Sequence, residues 1–96
     1  MSVYFIANLK IKNEEGYQEY QKALGEAFPV FPGEYLALDR NPLVLEGKWD
    51  YNRLVLIEFP DQKSFANWYN SPEYQNIVNL RTDNAICDII VSEGKE

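Results

Sequence analysis

Residues 3–28, VYFIANLKIKNEEGYQEYQKALGEAF, change their apolar period part-way along, and that change decides the fold. From Val3 to Ile11 the period is two. Val3, Phe5, Ala7, Leu9 and Ile11 make one wholly apolar face, and Tyr4, Ile6, Asn8 and Lys10 make a mixed one. That is a strand whose two sides meet different surroundings. From Asn13 the pattern becomes helical. Asn13 is a side-chain N-cap, and Glu14 and Glu15 stand in the first turn, where the helix dipole favours acids. Tyr17, Tyr20, Leu24, Ala27 and Phe28 fall on one stripe, and Pro29 ends the helix.

Working outward, GEYLALDRNPLVLEG (33–47) is strand-like on both sides of Asn41-Pro42. Proline cannot donate to a ladder, so the expectation is a hairpin or one long bulged strand, at a sheet edge. NRLVLIEFP (52–60) reads as a central strand and AICDIIVSE (85–93) as the last one. Between them Asp61 caps a helix with Phe65, Trp68 and Tyr69 at i, i+3 and i+4, and Ser71-Pro72-Glu73 restarts it: a hydroxyl N-cap, proline at N1 and an acid in the first turn. Tyr74, Ile77, Val78 and Arg81 continue at helical spacing, so this second α segment is bent. The order βαββαβ predicts an α+β, ferredoxin-like antiparallel sheet with both helices on one face, in a single domain spanning 1–96.

The 96 residues carry a net charge of −6, with nine scattered basic side chains. No nucleic-acid partner is expected, because phosphate contacts need clustered Lys and Arg. No membrane partner is expected either: there is no span-length apolar run, no basic patch for an anionic surface and no leader pattern at the N-terminus. Cys87 is the only cysteine, which fits a cytoplasmic setting, and histidine is absent. Ser-His-Asp and Cys-His catalysis and an ordinary zinc site are therefore excluded. No calcium-loop spacing and no glycine-rich phosphate loop occur, so neither a metal nor a cofactor is expected.

EGYQEY, GEYLA, LEGKW, RLVLIEFP and WYNSPEYQ followed by LR resemble, in that order, the DUF1330 family of small uncharacterised proteins, with WYNSPEYQ after IEFP the most specific part. The resemblance implies a dimeric α+β barrel, in which two ferredoxin-like subunits pack sheet against sheet. It implies no activity. Related barrels include cofactor-free monooxygenases, isomerases, decarboxylases, haem-binding proteins and stress-response proteins, and one fold hosts many functions. Arg53, Glu58, Tyr69, Ser71, Pro72, Tyr74 and Arg81 fall on the family motif. The chain departs where many members carry arginine shortly after the YL pair: Leu38 stands there, and Arg40 lies two positions on.

Strand parity puts Tyr4, Ile6 and Asn8 on the sheet face away from the helices, with Leu54, Leu56, Glu58, Ile86, Asp88 and Ile90. Large aliphatics mixed with polar groups suit a homodimer with a partly hydrated cavity between its sheets. Glu58 interrupts LVLIEF, where a lone carboxylate is costly or titrates upward. It is read as an ion-pair partner of Arg81, as a ligand-orienting group or general base, or as a strand-end residue. Arg81, beside the apolar stripe, either pairs with a carboxylate or recognises an acidic ligand. Tyr69 and Tyr74 are candidate walls and Asn8 and Arg40 further ligand-binding candidates, with Asn8 and Asp88 each either a pocket polar group or a hydrogen-bonded strand residue. Trp49 and Tyr51 form a lid or pack over the sheet edge, and Cys87 is an inert thiol. The leading expectation is a homodimer binding a small, partly apolar or acidic molecule beside the sheet. The alternatives are a cofactor-free enzyme with Glu58 as base, and a non-catalytic dimeric interaction module.

Overall fold

A computed structural model describes residues 1–95 of the chain. Strand β1 (Val3–Ile11) leads into helix α1 (Glu14–Ala27), a 3-10 turn (Phe28–Val30) and strand β2 (Glu34–Asp39). Strand β3 (Arg53–Phe59), helices α2 (Gln62–Tyr69), α3 (Pro72–Gln75) and α4 (Val78–Thr82), and strand β4 (Ala85–Glu93) follow. The sheet is antiparallel throughout in the order β2-β3-β1-β4, the α+β, ferredoxin-like arrangement that the βαββαβ order predicts.

The two inner strands show why. Every second residue of β1 is buried and the alternate residues are half-buried, and β3 repeats the pattern with Arg53, Val55, Ile57 and Phe59 inward. Directly opposed residues share a face, so Val3 with Phe59 and Phe5 with Ile57 make the inner floor. Trp68 of α2 sits on that floor at 1 % exposure, edge-on to Phe5 and Phe28 and stacked 5.3 Å from Phe59. Its burial is the largest apolar contribution that the second α segment makes.

The caps act as their residue types dictate. Asn13 Oδ1 accepts from Gly16 N, Asp61 Oδ1 from Ser64 N, and Ser71 Oγ from Tyr74 N. Ser71 also donates to the Trp68 carbonyl at 2.7 Å, so one hydroxyl closes α2 and opens α3. The second segment breaks once more, at Asn76-Ile77, before α4.

The reading of residues 33–47 needs correction. Asn41-Pro42 is neither a hairpin turn nor a bulge in a long strand. Asp39 Oδ1 accepts from Asn41 N at 2.9 Å, an Asx-type turn that ends β2, and Pro42 offers no donor to resume it. Residues 40–52 carry no regular structure and leave Leu43, Val44 and Leu45 exposed. The bulge lies earlier, where the register with β3 shifts between Tyr35 and Ala37. Gly33 precedes it by necessity: a Cβ there would collide with the Phe28 and Phe59 rings.

Candidate functional site

Between α1 and the inner face of the sheet lies a cavity of about 220 Å³. Its floor is Phe5, Ala7 and Leu9 of β1 with Val55 and Ile57 of β3. Tyr17, Tyr20 and Leu24 of α1 roof it, and Trp68 closes one side. Exposed Gln21, Gly25, Tyr35 and Leu38 form the rim. The space exists partly because Ala7 is short, and because β2, at the sheet edge, lies largely exposed.

One charged side chain enters this apolar space. Arg81, from the short α4, is only 5 % exposed, yet no carboxylate of the described residues lies within 4.0 Å of it. Its Nε donates to Tyr74 Oη at 3.3 Å, and Tyr74 Oη lies 2.8 Å from Tyr20 Oη. Burial works against the charge, Tyr74, the Cys87 thiol and Tyr20 favour it, and the guanidinium pKa lies above its ordinary value. Burial, reinforced by Tyr74, raises the Tyr20 phenol well above 10.0. Burial also lifts Tyr17, against the pull of Arg53, and pushes Tyr35 up to about 12. At neutral pH the cavity therefore presents neutral phenols and one cation, and no carboxylate lines it.

The second buried arginine is different. Arg53 Nη2 donates to Glu14 Oε1 at 3.0 Å, its guanidinium lies 5.5 Å from the Tyr17 ring centroid, and its Nε is buried without a partner among the described residues. It joins the start of α1 to β3 and does not line the cavity.

The structure divides the residues singled out in the sequence. Arg81 reaches the cavity, with Tyr74 directly behind it, whereas Tyr69 stacks on Phe65 and lies tilted against Tyr74. Glu58 lies on the opposite face of the sheet, across from Tyr4, whose phenol it raises by hydrogen bonding, and from Glu34. A Glu58–Arg81 pair is thus ruled out by strand parity. Asn8 is also on the outer face, where its Oδ1 accepts from Trp49 Nε1 at 3.0 Å. Tyr51 donates to Asp88 at 2.8 Å and Lys10 pairs with Asp50, so residues 49–51 are clasped across one end of that face. Trp49 and Tyr51 pack on each other there, on the face away from the cavity. Arg40 is exposed after β2 and touches neither face's site. Cys87 faces inward beside Arg81.

Tyr20, Tyr17 and Trp68 are lining residues that the sequence did not distinguish from core. The signal was the α1 stripe itself, which marks an inward face but not whether that face meets atoms or space. No cluster of three or more His, Cys, Asp or Glu able to hold a metal occurs among the described residues, and no helix of these residues is long and apolar enough to cross a membrane.

The sequence model of the family described as "Domain of unknown function (DUF1330)" matches residues 2–95. Among curated proteins nothing matches significantly. Solved structures do match. A protein of unknown function from Rhodopseudomonas palustris is 17 % identical with a TM-score of 0.81, over 99 % of this chain and 83 % of that one. A dimeric ferredoxin-like protein of unknown function from Jannaschia sp. is 15 % identical with a TM-score of 0.82, over 98 % and 100 % of the two chains. SnoaB, a cofactor-independent oxygenase from Streptomyces nogalater, is 11 % identical with a TM-score of 0.71, over 99 % and 94 %. At these identities the likeness concerns the fold.

Proposed function

The chain belongs to the DUF1330 family, and from that premise we propose that it is a homodimer binding a small, partly apolar, acidic molecule in the cavity between α1 and the sheet, with Arg81 as its anchor. One observation carries this reading: a buried guanidinium faces an apolar cavity with no carboxylate beside it. Leaving a buried charge uncompensated costs several kcal/mol. A residue kept purely for the fold would be paired, as Arg53 is with Glu14. An anion entering the cavity supplies the missing partner and exchanges water for apolar walls.

Glu58 and Asn8 are not part of the proposed site, because they face away from it. The outer face is instead the proposed dimer surface. Ile6, Leu54 and Leu56 are only half-buried there, and Ile86 and Ile90 are 52 % and 61 % exposed. No helix of the described residues covers them, and a structural neighbour is described as dimeric. A cytoplasmic setting and the absence of a nucleic-acid or membrane partner go with this reading.

A native mass spectrum of the purified protein tests it. The expected result is a dimer carrying a small mass that leaves on activation and analyses as an organic acid. A monomer would contradict the sheet-to-sheet assembly. A protein that stays ligand-free even in excess benzoate would contradict the binding site.

A further inference from the structure

The hydrogens of the Arg81–Tyr74–Tyr20 chain can be counted. A phenol has one hydrogen and accepts through its oxygen. Arg81 Nε already donates to Tyr74 Oη, so the open question is which phenol donates across the 2.8 Å bond between Tyr74 and Tyr20. If Tyr20 donated, the Tyr74 hydrogen would be left without an acceptor, in a side chain 1 % exposed that does not line the cavity. A buried donor left unmade is the unfavourable case. If Tyr74 donates instead, its hydroxyl is satisfied, and of the two phenols only the Tyr20 hydrogen is left over. Tyr20 does line the cavity, and its hydroxyl makes no other hydrogen bond among the described residues.

We infer that Tyr20 is a second, ligand-facing donor, and that the site selects a carboxylate-type oxyanion held between the Arg81 guanidinium and the Tyr20 hydroxyl. This rests on the reading of Arg81 as anchor and extends it to the ligand's chemistry. Both groups present hydrogens to the ligand in this arrangement, so the hydroxyl of a protonated acid or an amide nitrogen aimed at the same spot sets hydrogen against hydrogen. The ligand's body is limited by space. A cavity of about 220 Å³ is smaller than the roughly 300–1,000 Å³ of sites for drug-sized molecules, and at a packing density of about 0.74 it suits one ring or a short branched chain. Phe5, Trp68, Val55 and Ile57 offer that body apolar contacts.

Titration of benzoate and of toluene into the wild-type protein and Tyr20→Phe tests the inference. Toluene fills the same apolar space and offers no acceptor. Tyr20→Phe is expected to weaken benzoate at least about tenfold, as for a lost hydrogen bond to a charged group, with toluene binding unchanged. Equal benzoate affinity in the two proteins overturns the role of Tyr20 and leaves Arg81 as anchor. Benzoate and toluene weakening together would show lost packing, and likewise overturns it. No benzoate binding to the wild type overturns both this inference and the reading beneath it. Should Tyr20→Phe fail to fold, the tyrosine Fermi doublet in the Raman spectrum of the wild type replaces it. A change toward a strongly donating phenol on benzoate saturation supports the inference, and an unchanged doublet overturns it.

Discussion

Arg81 and Arg53 show how one residue type takes two roles within one fold. Both are about 95 % buried, and both lie beside a tyrosine of α1 or α3. Arg53 meets Glu14, an acid that the first turn of α1 already favours, so the pair joins a helix start to a strand end. Arg81 meets phenols and a thiol instead. Neutral groups can orient a guanidinium and satisfy some of its five donors, but none of them brings an opposite charge. Its environment therefore favours an incoming anion. Guanidinium is also the cation least able to lose its proton on burial, so the site stays positive at every accessible pH.

At the scale of elements, the position of Arg81 depends on the breaks in the second α segment. A straight continuation of α2 would carry the later residues along one axis. Ser71 instead ends α2 through the Trp68 carbonyl and caps α3 through Tyr74 N, which turns Tyr74 and then Arg81 inward. Ser71→Ala is expected to cost about 1–2 kcal/mol of stability, measured by urea unfolding, and to weaken benzoate binding by loosening Tyr74. Unchanged stability would show that Pro72 alone sets the break. This break was legible in the sequence, as were the four strands, the three side-chain caps and the inner positions of β1 and β3, because each rests on local spacing or on a residue's own chemistry. The end of β2 was not legible: Leu43-Val44-Leu45 looks strand-like, and only the Asp39 turn and its exposure show otherwise. Nor was the site. Periodicity gives a residue's face and not its partner across the fold, so Glu58 and Arg81 could be paired on paper although the sheet separates them, and Tyr20 could pass for core.

At the scale of the whole molecule, the composition governs the pH response. With no histidine, no side chain of ordinary pKa changes its charge between about pH 5 and pH 8, and stability is expected to be flat there. On the alkaline side Tyr17, Tyr20 and Tyr35 hold their protons in the folded state above the usual 10.0, Tyr35 to about 12. Unfolded phenols release theirs near the ordinary value, so the folded state binds more protons across that window. Its stability is complete below about pH 10 and falls as pH rises from there through the folded values. On the acid side the Asp61 cap, held below its ordinary 3.8 by hydrogen bonds from Ser64, contributes above that value and is lost as pH falls through the lowered one. Urea midpoints across the pH range test this. Midpoints that stay level as pH rises through about 10 to 11 would mean that the phenols are not buried as described.

The most direct test of the central claim, that Arg81 serves a ligand and not the fold, is one paired measurement on Arg81→Met: urea unfolding without ligand, and benzoate titration of the same protein. Replacing an unpaired buried charge by an apolar side chain of similar length is expected to raise stability by about 1 kcal/mol or more and to abolish benzoate binding. A variant that is less stable than the wild type and still binds benzoate with undiminished affinity would contradict the account.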